Sequence, residues 1–202
     1  MNQLNIHQAA GVELVRAAKP SVNQLPIRGR FQVEHIRNGK VIGNYDFPNG
    51  ITTEGKNHLL DVQFHNTPAP MATWYLGLID LAGFTALAAA DIYDNINQAG
   101  NGWDEFSNYT DAGNANSTTT RPAWTEGAAS AASITNASPV IFDITGTGTV
   151  KGVFLAGGTN AQTKGDHTAG SAHKLWATAL FTGGDVAVLN GDQLKVTYTV
   201  SA

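Results

Sequence analysis

The dipeptide Asn38-Gly39 sits between two strand-like runs, FQVEHI and VIGNYDF. Both central residues of a type I′ turn need positive φ, which Asn and Gly tolerate at low cost. A β-hairpin is therefore predicted where the regular structure of this chain begins. Asn49-Gly50 closes its second strand. ITTEGKNHLLDVQF then reads as one short helix near residues 53–65, with Thr52 or Thr53 as N-cap and Pro68 and Pro70 beyond its end. TWYLGLI, residues 73–79, has the pattern of a buried strand.

The last third returns to strand patterns: SPVIFDI, TVKGVFLA, KLWATALF and DQLKVTYTV. Gly146 and Gly148 read as a hairpin turn, and Asn190-Gly191 as a tight turn. The final run alternates, with Leu194, Val196, Tyr198 and Val200 on one face and Lys195, Thr197 and Thr199 on the other. That is the period of a half-buried antiparallel strand. Short strands, turn signals and one helix predict a mainly β fold, an antiparallel β-sandwich or jelly-roll-like domain over residues 29–202.

Two stretches fall outside this pattern. Residues 1–28 contain a weak helical pattern from His7 to Ala18, broken by Pro20 and Pro26. They read as an extended N-terminal arm. Its large apolar residues are few, so the arm is expected to dock on a partner chain through Leu4, Ile6, Val12, Leu14, Val15 and Arg16. Residues 80–139 form the least regular part and include long polar stretches. Loops of that length are usually functional or ordered by neighbours.

Charge is unevenly distributed. Residues 1–40 hold six bases and two acids, a net of +4, whereas residues 41–202 hold six bases and fourteen acids, a net of −8. The overall −4 does not supply the dense basic surface that duplex binding needs. The absence of cysteine excludes disulfides, Cys-zinc sites and thiol catalysis. No secretory signal or 18-residue apolar run is read in the sequence, and assembly in a cytoplasm is expected.

The search for chemistry returns weak candidates. His58, Asp61 and His65 would share one face of a regular helix, but the spacing matches no established metal motif, and a polar helix face is the better reading. The loop from Asp94 to Glu105 is rich in oxygen donors yet departs from the EF-hand order, so it reads as solvated. GTGTVKG is one residue too long for G-x-G-x-x-G. No nucleophile elbow, phosphate loop or catalytic carboxylate pair emerges. The expectation is a non-enzyme without cofactor or metal. Trp103, Tyr109 and Trp124 lie in the polar middle region, where exposed aromatics would stack on sugar rings or anchor an interface. Capping one end of the core is the favoured alternative. Trp74 and Trp176 are expected in the core.

The order of these pieces resembles a class of small structural proteins of tailed bacteriophages. The resemblance rests on FQVEHIRNGKVIGNYDF, NGITTEGKNHLLD, TWYLGLI, WDEF with RPAW, and KLWATALF followed by GDQLKVTY, over about residues 30–202. It implies a virion protein assembled in the host cytoplasm. Capsid decoration (cement) is the first expectation; a tail or tail-fibre component with a carbohydrate-binding face is the alternative. The implied partners are the major capsid protein or other virion proteins, together with further copies of the chain, a trimer being favoured. Nucleic acid and membrane are not expected partners, and no catalytic residues carry over.

Overall fold

A computed structural model describes residues 26–98, 100–168, 170 and 172–202. The arm candidates Leu4, Ile6, Val12, Leu14, Val15 and Arg16 lie outside the described residues. The strands are β1 (Arg28–Arg37), β2 (Lys40–Ile51), β3 (Trp74–Asp80), β4 (Tyr109–Asp111), β5 (Ala123–Trp124), β6 (Ser133–Thr135), β7 (Val140–Ile144), β8 (Gly148–Gly158), β9 (His173–Leu180), β10 (Val186–Val188) and β11 (Gln193–Ser201). The helix α1 spans Thr53–Leu60.

The strands form one strongly curled antiparallel sheet in the order β4-β7-β11-β1-β2-β9-β8-β3-β5, with β6 on β11 and β10 on β8. The fold is thus mainly β and sandwich-like, as the sequence predicts. Strand β2 makes the bend. It pairs with β1 from Lys40 to Asn49 and with β9 only through Gly50 and Ile51. Strands β7, β11 and β1 therefore face β9, β8 and β3 across a core that includes Phe31, Phe47, Leu76, Phe142, Leu155 and Tyr198.

Local signals are met where they were strongest. Asn38 and Gly39 have φ of 51° and 71°, both in the left-handed region that the β1–β2 turn requires. In β11, Leu194, Val196 and Tyr198 are buried while Lys195 and Thr197 are partly exposed. The Thr52 hydroxyl accepts a hydrogen bond from Gly55 N at 2.9 Å, which makes Thr52 the N-cap of α1. Beyond Leu60 the helix widens into a π-helical turn, Asp61–His65, and stops at Asn66 with φ 55°.

Two expectations need correction. The Gly146–Gly148 link is not a hairpin turn, because β7 pairs with β4 and β11 while β8 pairs with β3, β9 and β10. Strand β8 is apolar on both faces. Val153 and Leu155 enter the main core, and Phe154 and Ala156 enter a second one. Only a position between two strands, covered front and back, buries both faces. The chain must therefore cross from one layer to the other at Gly146–Gly148. The second correction concerns the loop from Asp94 to Glu105, which is not simply solvated: Ile96 and Trp103 join Ile79, Tyr93, Phe154 and Leu175 in a second core on the outer face of the β9-β8-β3 layer.

Close packing around β8 leaves no room for a side chain at Gly152, where a Cβ would meet the carbonyl oxygen of Ala179 on β9. Gly152→Ala is expected to lower stability by about 1–3 kcal/mol, the range for forced overpacking. Urea unfolding of the two proteins checks this; an unchanged midpoint would contradict the packing described.

Candidate functional site

Three polar or apolar constellations stand out once the chain is folded. The first joins Arg121 to Glu105, both fully buried. Arg121 Nε donates to Glu105 Oε1 at 2.9 Å and Nη2 to Oε2 at 2.8 Å. Nη1 donates to the Tyr93 hydroxyl and the Ala161 carbonyl, and Nη2 also to the Asp166 carbonyl. Glu105 additionally accepts from the Tyr109 hydroxyl at 2.8 Å and from Gly165 N at 2.7 Å. Burial disfavours the guanidinium charge, but Glu105 outweighs it and holds the Arg121 pKa above its ordinary value. Burial likewise pushes the Tyr93 phenol up to about 12. Every donor of Arg121 is used, so the cluster is a structural clasp with no group left to act on a substrate.

The second centres on Asp192, in the turn before β11. Its carboxylate accepts from Arg37 Nε and Nη2, each at 2.7 Å, from His35 Nε2 at 2.7 Å and from Leu189 N at 2.8 Å. The Arg37 hydrogen bonds, more than the opposing burial, hold the Asp192 carboxyl well below the usual carboxylate range.

The third is an apolar groove of about 490 Å³. Strands contribute Trp74, Trp124, Trp176, Ile134 and Val200, and the α1 region covers one side with His58, Leu59 and Val62. Ile27 lies on its wall, where β1 begins. The groove is the open end of the main core, since Ile27, Leu59, Trp74, Ile134 and Val200 are partly buried against that core. The indole N–H groups of Trp176 and Trp124 donate to the hydroxyl and carbonyl of Tyr198 at 2.9 and 3.3 Å. What these two side chains offer to the groove is therefore apolar ring surface. His58 is 5% exposed, and its Nδ1 finds no hydrogen-bond partner among the described residues. Burial, reinforced by Lys174, lowers the His58 pKa, so the ring is neutral near pH 7.

The sequence candidates fare differently. His58, Asp61 and His65 do not converge. The π-helical turn breaks the regular spacing, leaving His58 inside while Asp61 and His65 stay exposed with 3.8 Å between Nδ1 and Oδ1. Among the described residues no group of three or more His, Cys, Asp or Glu is placed to hold a metal ion. Trp103, Tyr109 and Trp124 are 1%, 1% and 5% exposed, so they do not form a sugar-stacking face. Trp103 donates to Asp91 in the second core, Tyr109 donates to Glu105, and Trp124 packs on Tyr198. The groove and the Arg121–Glu105 clasp were both missed in the sequence. A lone Arg before Pro122 carries no local mark of burial.

Comparison of the chain with protein-family models, with curated proteins and with solved structures finds no match in any of the three.

Removing Arg121 would strand a buried carboxylate. Arg121→Met is expected to cost about 3–5 kcal/mol, and the double variant Arg121→Met/Glu105→Leu to recover much of that loss; denaturant unfolding of the single and double variants measures both. The Asp192 interaction has the opposite pH sign to a raised group. Its contribution is complete above the ordinary Asp value of about 3.9 and is lost as pH falls toward the lower folded-state value. Arg37→Ala should therefore move the acid-unfolding midpoint, followed by circular dichroism, to higher pH.

Proposed function

We propose that this protein is a structural component of a tailed-bacteriophage virion, most concretely a capsid decoration protein that binds the assembled head. The observation that carries this reading is the apolar groove at the open end of the core, next to the point where the basic N-terminal arm departs. A concavity of apolar ring surface suits a polypeptide partner more than a polar substrate. The buried ion pairs support the same reading, because their hydrogen-bonding capacity is spent on holding the chain's own loops. Leu60 and Phe64 add apolar side chains that face water beside the helix.

The proposed partners are the major capsid protein or other virion proteins and further copies of this chain, a trimer following from the resemblance alone. Decoration acts by linkage: a protein that binds only the assembled shell stabilises it by mass action. The tail-associated alternative loses the carbohydrate face sketched for it, since Trp103, Tyr109 and Trp124 are buried.

The arm supplies the anchor in this proposal, through Leu4, Ile6, Val12, Leu14, Val15 and Arg16. Fully extended, 28 residues reach at most ~100 Å, enough to cross to a neighbouring subunit. Deleting residues 2–24 is expected to leave a folded β domain that no longer occupies purified heads. Full occupancy and unchanged salt resistance of the truncated protein, read by sedimentation with particles, would refute the anchor.

A further inference from the structure

We propose that a second cavity, of about 670 Å³ where the turn after β4 meets β3, β5 and β7, is a binding site for a neutral saccharide. Its size is that of a small-ligand site. It shares no lining residue with the apolar groove, so the groove stays open for the proposed partner. Trp103, Tyr109 and Trp124 take no part in it. The inference is independent of the virion role.

The first argument is charge. Among the described residues that line the cavity, Arg121 is the one cation, and its guanidinium is committed to Glu105, Tyr93, Ala161 and Asp166. An anionic ligand therefore meets no available countercharge. What the cavity offers is an acceptor. Asp111 lines it and is 4% exposed. Gly113 N donates to Oδ1 at 2.9 Å, but the Thr120 hydroxyl reaches Oδ2 only at 3.4 Å, long for an O–H···O bond. Burial outweighs the hydrogen bonds and raises the Asp111 pKa, so its carboxylate gains from a further donor.

The second argument is the mixture of groups around that carboxylate. Asn114, Thr125 and Gln162 are exposed lining residues whose side chains both donate and accept. Tyr75, half-buried against the second core, and the buried Pro122 line the same cavity. A saccharide ring has the matching character, with hydroxyls that donate and accept at its edge and C–H surface on its faces for an aromatic ring. The walls are fixed before a ligand arrives. Arg121 N donates to the Gln162 carbonyl at 2.7 Å, and Asp111 pairs with Phe142 of β7. The clasp thus holds the polar turn and the Gln162 segment in one place, which lowers the ordering cost of binding.

Maltotriose, cellotriose and tri-N-acetylchitotriose serve as neutral probes for the full chain, with binding read by heteronuclear NMR. At least one is expected to bind in the millimolar range and to move the side-chain amide signals of Asn114 and Gln162. The indole signals of Trp74 and Trp176, which line the groove, should stay in place. Asn114→Ala/Gln162→Ala, at two exposed positions, should keep the β-sheet circular dichroism and weaken binding about tenfold. Asp111→Asn keeps an acceptor for Gly113 N and should weaken binding as well. Trigalacturonate, equal in length but anionic, should bind less tightly than the neutral probes. Still amide signals with all three neutral sugars would overturn the inference, as would movement of the indole signals in their place. So would tighter binding of trigalacturonate, or unchanged affinity in the folded Asn114→Ala/Gln162→Ala protein. A trialanine peptide that moves the same amides where the sugars do not would assign the cavity to polypeptide and overturn it too.

Discussion

The ion pair between Arg121 and Glu105 is the constraint on which the irregular half of this protein depends. Taking both charges out of water is costly, and a buried pair of this kind is tolerated only when its remaining donors and acceptors are matched. Here the matching groups come from separated places in the chain: Tyr93, Tyr109, Ala161, Gly165 and Asp166. No one segment can satisfy the pair. The arrangement is therefore cooperative, since displacing any one of these segments leaves a charge or a donor unpaired in a low-dielectric setting. That is how long polar stretches with little regular structure of their own become ordered against the outer face of a sheet.

The sheet makes this possible by placing β8 between β3 and β9. One face of β8 completes the main core and the other supplies Phe154, over which the Arg121 guanidinium lies at 5.2 Å from the ring centroid. Trp103 packs on the same ring with centroids 5.4 Å apart. Glu54 on α1 extends the network by accepting from Tyr93 N and Leu175 N, each at 2.8 Å. Helix, second core and sheet are thus tied by charge-assisted hydrogen bonds as well as by apolar burial. At the opposite boundary of β1, Asp192 performs a similar service for the turn before β11.

Against these satisfied networks the groove is the exception. It gathers ring surface from three strands and an imidazole nitrogen that has no hydrogen-bond partner among the described residues at an open end of the core. An apolar concavity of this kind supports the proposal of a polypeptide partner. The proposed decoration role draws on that contrast.

The amino-acid sequence by itself determined the features governed by a few neighbouring bonds. Asn38-Gly39 specified its turn through backbone sterics and β11 its inward face through simple alternation, while Thr52-Thr53 marked the start of α1 and the structure chose Thr52 as its cap. The mainly β class followed from adding such local signals. What only the tertiary structure decided involves contacts between residues far apart in the chain. Gly146 and Gly148 look the same in a hairpin as in a crossing between layers, and the two-sided burial of β8 made the choice. Trp103, Tyr109 and Trp124 carry the same chemistry for stacking on a sugar as for filling a core, and only Asp91, Glu105 and Tyr198 as neighbours settled their place. Arg121 and Glu105 are sixteen residues apart with no pattern between them, and the groove draws its walls from strands spread from β3 to β11. Turn and cap rules act through the backbone at short range, whereas burial and pairing depend on which distant surfaces the folded sheet brings together.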